Sequence, residues 1–90
     1  MTTQSQSPGL QGWALILGAS SGFGGAAALA LAKAGMHIFG VHLDRKATMP
    51  NVERIITEIK HAGREAVFFN VNASDPEKRR EILDQMEKIL

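Results

Sequence analysis

Ninety residues make one small domain, enough for about three strands and three helices around a thin core. Ten Lys and Arg against nine Asp and Glu leave a net charge of +1, which provides no electrostatic basis for binding nucleic acid or an anionic membrane. Cysteine is absent, which excludes disulfides, thiolate metal sites and cysteine catalysis and fits an expected cytoplasmic location.

Residues 1–12 are rich in Ser, Thr, Gln, Pro and Gly and lack the basic start and apolar stretch of a signal peptide. They are expected to form a flexible tail ahead of a domain over 13–90. No apolar run reaches the roughly 20 residues that span a bilayer. The first strand is expected over Trp13–Leu17, apolar at every position, as in a strand buried on both faces of a parallel sheet. A glycine turn follows, Gly18-Ala19-Ser20-Ser21-Gly22-Phe23-Gly24. The first helix then runs from about Phe23 to Ala34 and stops at Gly35, its small side chains permitting close approach to a sheet.

The second strand spans about His37–Leu43, and a loop from Asp44 to Met49 leads to a second helix. Thr48 is its candidate N-cap, Pro50 suits its first turn, and Val52, Ile55, Ile56, Ile59 and Ala62 form one apolar stripe before Gly63 ends it. The third strand is Ala66–Val71. Ser74-Asp75-Pro76-Glu77 then starts a third helix expected to bury Ile82, Leu83, Met86, Ile89 and Leu90. The basic run Lys78-Arg79-Arg80 has acidic neighbours and reads as a solvated face.

Strand followed by helix, three times, implies an α/β class: a Rossmann-type parallel sheet with right-handed crossovers (βαβαβα), the first half of a doubly wound fold. Half of such a sheet leaves the apolar first strand at an edge, an aggregation liability. The third helix also shows no stop signal at Leu90. A fragment, or a half that needs a partner, is therefore expected.

The glycine turn carries the chemistry. Between a strand and a helix it brings backbone N–H groups and a helix N-terminus against a phosphate. A P-loop would need Gly-Lys-Ser/Thr, whereas Gly24 is followed by Gly25 and Ala26. Two registers fit: G-x-G-x-x-A from Gly22, and G-x-x-x-G-x-G from Gly18. The second is preferred, because it begins where the apolar run ends. A purely structural tight turn is the competing reading. The ribose 2′ position is normally read at the end of the second strand, here His42-Leu43-Asp44-Arg45-Lys46. His37, His42 and His61 have no metal-ligand spacing, and neither Ser20 nor Ser21 has a histidine base near it in sequence.

The turn from Gly18 to Gly24 resembles the cofactor turn of short-chain dehydrogenases/reductases, and the resemblance covers nearly all of the chain after residue 12. It implies that the backbone near Ser20, Ser21, Gly22 and Phe23, shaped by Gly18 and Gly24, contacts the pyrophosphate and ribose of NAD(P). Asn72 would sit by the adenine with Ala73 beside it, where the family commonly has an Asp-Val pair. Leu17 replaces a usual threonine that helps tie the turn. Counted in the family register, the ribose-reading position is His42, with Asp44 two residues later; Arg45 and Lys46 could close on a phosphate, which leans the cofactor toward NADP(H).

The family's catalytic tyrosine, lysine and serine follow the third strand–helix unit, and this chain has no tyrosine. No catalytic residue is therefore assigned. The resemblance implies the N-terminal dinucleotide-binding part of an oxidoreductase whose complete form moves a hydride to or from a carbonyl, alcohol or enoyl group. Its partners would be the dinucleotide and the remainder of the enzyme, or a self-associating copy. The alternatives are a free-standing, non-catalytic nucleotide-binding module or a truncated product.

Overall fold

The computed structural model describes residues 12–90; the expected tail lies outside them except for Gly12. Three parallel strands, β1 (Trp13–Leu17), β2 (His37–His42) and β3 (Ala66–Asn70), alternate with three helices, α1 (Gly22–Lys33), α2 (Met49–His61) and α3 (Pro76–Ile89). The sheet order is β1-β2-β3, with Trp13 opposite His37 and Ile38 opposite Ala66. This is the α/β, Rossmann-like arrangement expected from the alternating pattern, and element boundaries differ from the expected ones by a residue at most places.

Side chains alternate across the central strand and divide the core into two layers. Ile38 faces α1 and α2, packing with Ala28, Ala32, Ile55 and Ile59. Phe39 and Val41 face the opposite side and meet Ile82 and Met86 of α3. Ile38, Val52, Ile55 and Ile59 are fully buried, each contributing about 1.5–3 kcal/mol of transfer free energy. Trp13 stacks on Phe39 with centroids 4.2 Å apart, closing one end of the α3 layer.

The helix ends follow from local chemistry. Ser21 caps α1 by accepting from the Gly24 N–H, and Asp75 caps α3 by accepting from the Glu77 and Lys78 amides. Thr48 does not act as the side-chain cap expected of it. A 3₁₀ turn over Lys46–Thr48 precedes α2, Thr48 already has helical dihedrals, and its hydroxyl donates to the Arg45 carbonyl at 3.1 Å.

Two burial expectations are corrected. β1 is not buried on both faces: Leu15 and Leu17 are 46% and 67% exposed, because β1 is the sheet's edge and α3 covers only part of its face. The α3 stripe is likewise narrower than its sequence period suggests. Ile82 and Met86 are buried, but Leu83, Ile89 and Leu90 are exposed. A helix at the margin of a three-stranded sheet meets it along one line of side chains, so residues flanking that line have no surface to cover. Leu15, Leu17, Val41, Ile82, Leu83 and Met86 consequently line an open apolar groove beside β1.

Candidate functional site

Parallel strands end on the same side of the sheet, so the segments after β1, β2 and β3 meet along one edge. That convergence is where open α/β sheets form ligand crevices. The glycine turn lies at its centre. Gly18 adopts φ +68, which an L side chain rarely takes, and its carbonyl accepts both the Ser21 N–H at 3.1 Å and the Ser21 hydroxyl at 2.8 Å. The Ala19 N–H donates to the Val41 carbonyl at 3.0 Å, docking the turn on the end of β2.

Of the first four amides of α1, two are taken within the turn. The Gly24 N–H is bound by the Ser21 hydroxyl at 2.9 Å, and the Gly25 N–H by the Ser21 carbonyl at 2.7 Å. The Gly22 and Phe23 amides find no acceptor among the described residues, so two donors and the positive end of the helix dipole remain for an anion. A Cβ on Gly22 would meet nothing within 4 Å, so the space beside it is open. A Cβ on Gly24 would lie 2.0 Å from the Gly18 carbonyl oxygen, so only glycine lets the helix start this close to the turn. Phe23 projects into solvent, 91% exposed.

At the end of β2 the two residues weighed for ribose recognition are in contact. His42 is turned inward, 4% exposed, and its Nδ1 lies 3.0 Å from Asp44 Oδ1. Asp44 is held below the ordinary aspartate pKa, first by the Ser20 side chain and then by that of Thr48; burial opposes them, and His42 adds smaller lowering contributions. The carboxylate is therefore ionised at neutral pH. Arg45 and Lys46 are exposed.

Beyond β3, Asn72 uses its Oδ1 to accept the Ser74 N–H at 2.9 Å in a tight turn, and half-buried Ala73 offers its carbonyl to Arg79 at 3.3 Å. The structure thus brings Gly18, Ser20, Ser21, Gly22, Phe23 and Gly24 together with Asp44, while His42 backs Asp44 from inside and Asn72 and Ala73 sit at the neighbouring strand end. Two residues not singled out from the sequence also belong here. Asn51 donates to the Ser20 carbonyl at 3.0 Å, and Asn70 clasps the Asp44 backbone at 2.9 and 3.0 Å. Their partners are 31 and 26 residues away, and no local pattern carries such a contact. Among the described residues no group of His, Asp or Glu could hold a metal ion, and no helix is long and apolar enough to cross a membrane.

The sequence matches the short chain dehydrogenase family over residues 12–90. The chain belongs to that family. Among solved structures, a short-chain type dehydrogenase/reductase from Mycobacterium marinum is 29% identical with a TM-score of 0.71, over 88% of this chain and 29% of that one. A short chain dehydrogenase from Mycobacterium paratuberculosis, solved bound to NAD, is 24% identical with a TM-score of 0.73, over 83% of this chain and 31% of that one. A protein from Burkholderia cenocepacia assigned as a dehydrogenase, solved with bound NADP, shares the fold at 20% identity and a TM-score of 0.77, over 94% of this chain and 32% of that one. This chain thus spans about a third of the length of the structures it resembles. A search of the curated proteins gave no match.

Proposed function

We propose that this chain supplies the N-terminal dinucleotide-binding part of an NAD(P)-dependent oxidoreductase. The observation that carries the reading is the pair of amides, Gly22 and Phe23, at the start of α1, without an acceptor among the described residues, beside open space and framed by a turn that only glycine can close at Gly24. Those two donors would hold the pyrophosphate. The segment from His42 to Arg45 would meet the adenosine ribose, and Asn72 with Ala73 would border the adenine. The bound nicotinamide supplies the hydride acceptor or donor for a carbonyl, alcohol or enoyl substrate. The chain's own residues bind and orient the adenosine half.

Two opposite charges bear on the choice of dinucleotide. Arg45 and Lys46 are the exposed cations available for a 2′-phosphate and support the lean toward NADP(H). Asp44, ionised beside Ser20, favours a 2′-hydroxyl instead. The open edge of β1, flanked by exposed Leu15 and Leu17, supports a further strand from the remainder of the enzyme or from another copy as partner. A cytoplasmic location belongs to the same proposal.

Calorimetric titration of the chain with NAD+ and NADP+ tests the reading. Gly22→Val should fold as the parent does, because its added atoms enter open space, and should lose nucleotide binding. Unchanged affinity in that variant would remove the site. Arg45→Ala should weaken NADP+ more than NAD+, and an equal effect on both would remove the phosphate role.

A further inference from the structure

The segment between β2 and α2 is fastened at both ends by asparagine side chains that the dinucleotide reading does not use. Asn51, in the first turn of α2, donates from Nδ2 to the Ser20 carbonyl at 3.0 Å. Its Oδ1 accepts from Arg54 at 3.1 Å, and Arg54 pairs in turn with Glu58 one helical turn on. That chain of donors fixes the amide, since a flipped Asn51 would set donor against donor and acceptor against acceptor. The N–H of the same Ser20–Ser21 peptide donates to the Gly18 carbonyl at 3.1 Å. The peptide immediately before the free Gly22 and Phe23 amides is therefore held from both sides.

At the other end Asn70, the last residue of β3, accepts the Asp44 N–H at 2.9 Å and donates to the Asp44 carbonyl at 3.0 Å. A side-chain amide paired with both polar groups of one residue fixes that residue's backbone. From that fixed backbone the Asp44 side chain places its Oδ1 3.0 Å from His42 Nδ1.

We propose that Asn51 and Asn70 are positioning residues of the dinucleotide site: Asn51 sets the plane of the peptide that leads into the pyrophosphate donors, and Asn70 aims Asp44 at the adenosine 2′ position. This rests on the dinucleotide reading and adds to it a division of labour. An aimed carboxylate accepts from a 2′-hydroxyl and repels a 2′-phosphate, so Asn70 bears on the discrimination between NAD and NADP. Asn51 bears on the pyrophosphate, which both dinucleotides share and adenosine lacks.

The test uses the full chain and two variants, Asn51→Ala and Asn70→Ala, titrated with NAD+, NADP+ and adenosine, with thermal melts as the check on folding. Asn51→Ala should weaken NAD+ and NADP+ alike, by about five- to tenfold for one lost hydrogen bond, and leave adenosine unchanged. Asn70→Ala should weaken NAD+ and spare NADP+, raising the NADP+/NAD+ affinity ratio by about the same factor. If Asn70→Ala does not fold, Asn70→Ser, uncharged and too short to pair with both the Asp44 N–H and its carbonyl, reads the same ratio. A uniform loss across all three ligands in both variants would mean simple loop packing and would overturn the proposal while leaving the dinucleotide site in place. Failure of the parent chain to bind either dinucleotide overturns the functional reading, and this proposal with it.

Discussion

Gly24→Ala isolates the steric demand on which the glycine turn depends. Gly24 is the third residue of α1, and alanine in a helix is intrinsically better than glycine by roughly 1 kcal/mol. Propensity alone therefore predicts a more stable protein. The packing predicts the reverse. The added Cβ would lie 2.0 Å from the Gly18 carbonyl oxygen, 2.8 Å from the Gly18 carbonyl carbon and 3.0 Å from the Ser21 hydroxyl. Two of those three atoms are backbone, in a residue already held at positive φ and accepting two hydrogen bonds from Ser21, so the turn cannot yield without losing them. Overpacking of this kind costs about 3 kcal/mol at the upper end of the usual range, which leaves a net loss of about 2 kcal/mol after the propensity gain. For a domain of this size 1 kcal/mol moves the melting temperature by about 4–8 °C, so a drop of about 8–16 °C is expected by circular dichroism. Gly22→Ala is the control. Its Cβ meets nothing within 4 Å, and its melting temperature should match or exceed the parent's. A Gly24→Ala chain that melts at or above the parent would refute the claim that close approach, rather than chain flexibility, requires glycine there.

Other outcomes follow from the same packing and charges. Gly40 lies under the Phe68 ring, whose atoms would be 2.7–2.8 Å from an added Cβ, so Gly40→Ala should cost about 1–2 kcal/mol in urea melts. Part of that loss should be recovered when combined with Phe68→Leu, as a favourable coupling in a double-mutant cycle. Asp44 has a folded pKa below its unfolded value, so its contribution to stability is present above the unfolded pKa, near pH 4, and is lost as pH falls through the folded value. The stability difference between the parent and Asp44→Asn should therefore be constant from pH 7 to 5 and shrink below pH 4; a difference independent of pH would contradict the ionised assignment. Leu83→Lys should change stability by no more than about 0.5 kcal/mol, since Leu83 is 57% exposed, and a loss of several kcal/mol would restore it to the core.

Much of this was legible in the sequence, and the reason is local. β1 was bounded at Trp13 and Leu17 because an apolar run met Gly18, and α3 began at Pro76 because Asp75 and Pro76 form a capped start that needs no tertiary contact. The turn itself was readable because its demands, positive φ at Gly18 and no Cβ at Gly24, are met by residue type at fixed offsets within seven residues. Burial at the margins was not readable. Leu83, Ile89 and Leu90 keep the helical period of Ile82 and Met86, yet period reports only which residues share a face and not how wide a surface that face meets. The Asn51 and Asn70 contacts were invisible for a different reason: they join segments 26 to 31 residues apart, and an asparagine in a first helical turn or at a strand end is unremarkable by itself.

The His42–Asp44 contact connects these two kinds of information. The resemblance to the family puts the ribose-reading position at His42, with Asp44 two residues later and Arg45 and Lys46 able to close on a phosphate. The pleat turns His42 inward. Ile38, Gly40 and His42 share one face of β2, and the Phe68 ring that covers Gly40 also lies 5.9 Å from the His42 ring, so His42 is drawn into the layer beneath α2. An imidazole buried there leaves a polar nitrogen to satisfy, and its Nδ1 lies 3.0 Å from the Asp44 carboxylate two residues on. Asp44 Oδ1 is thereby held against His42 Nδ1. Replacing His42 with phenylalanine keeps the ring and removes the nitrogen. If the imidazole restrains Asp44, that variant should remain folded while the NADP+/NAD+ affinity ratio rises, in the same direction as for Asn70→Ala; an unchanged ratio would leave Asn70 as the residue that holds the carboxylate.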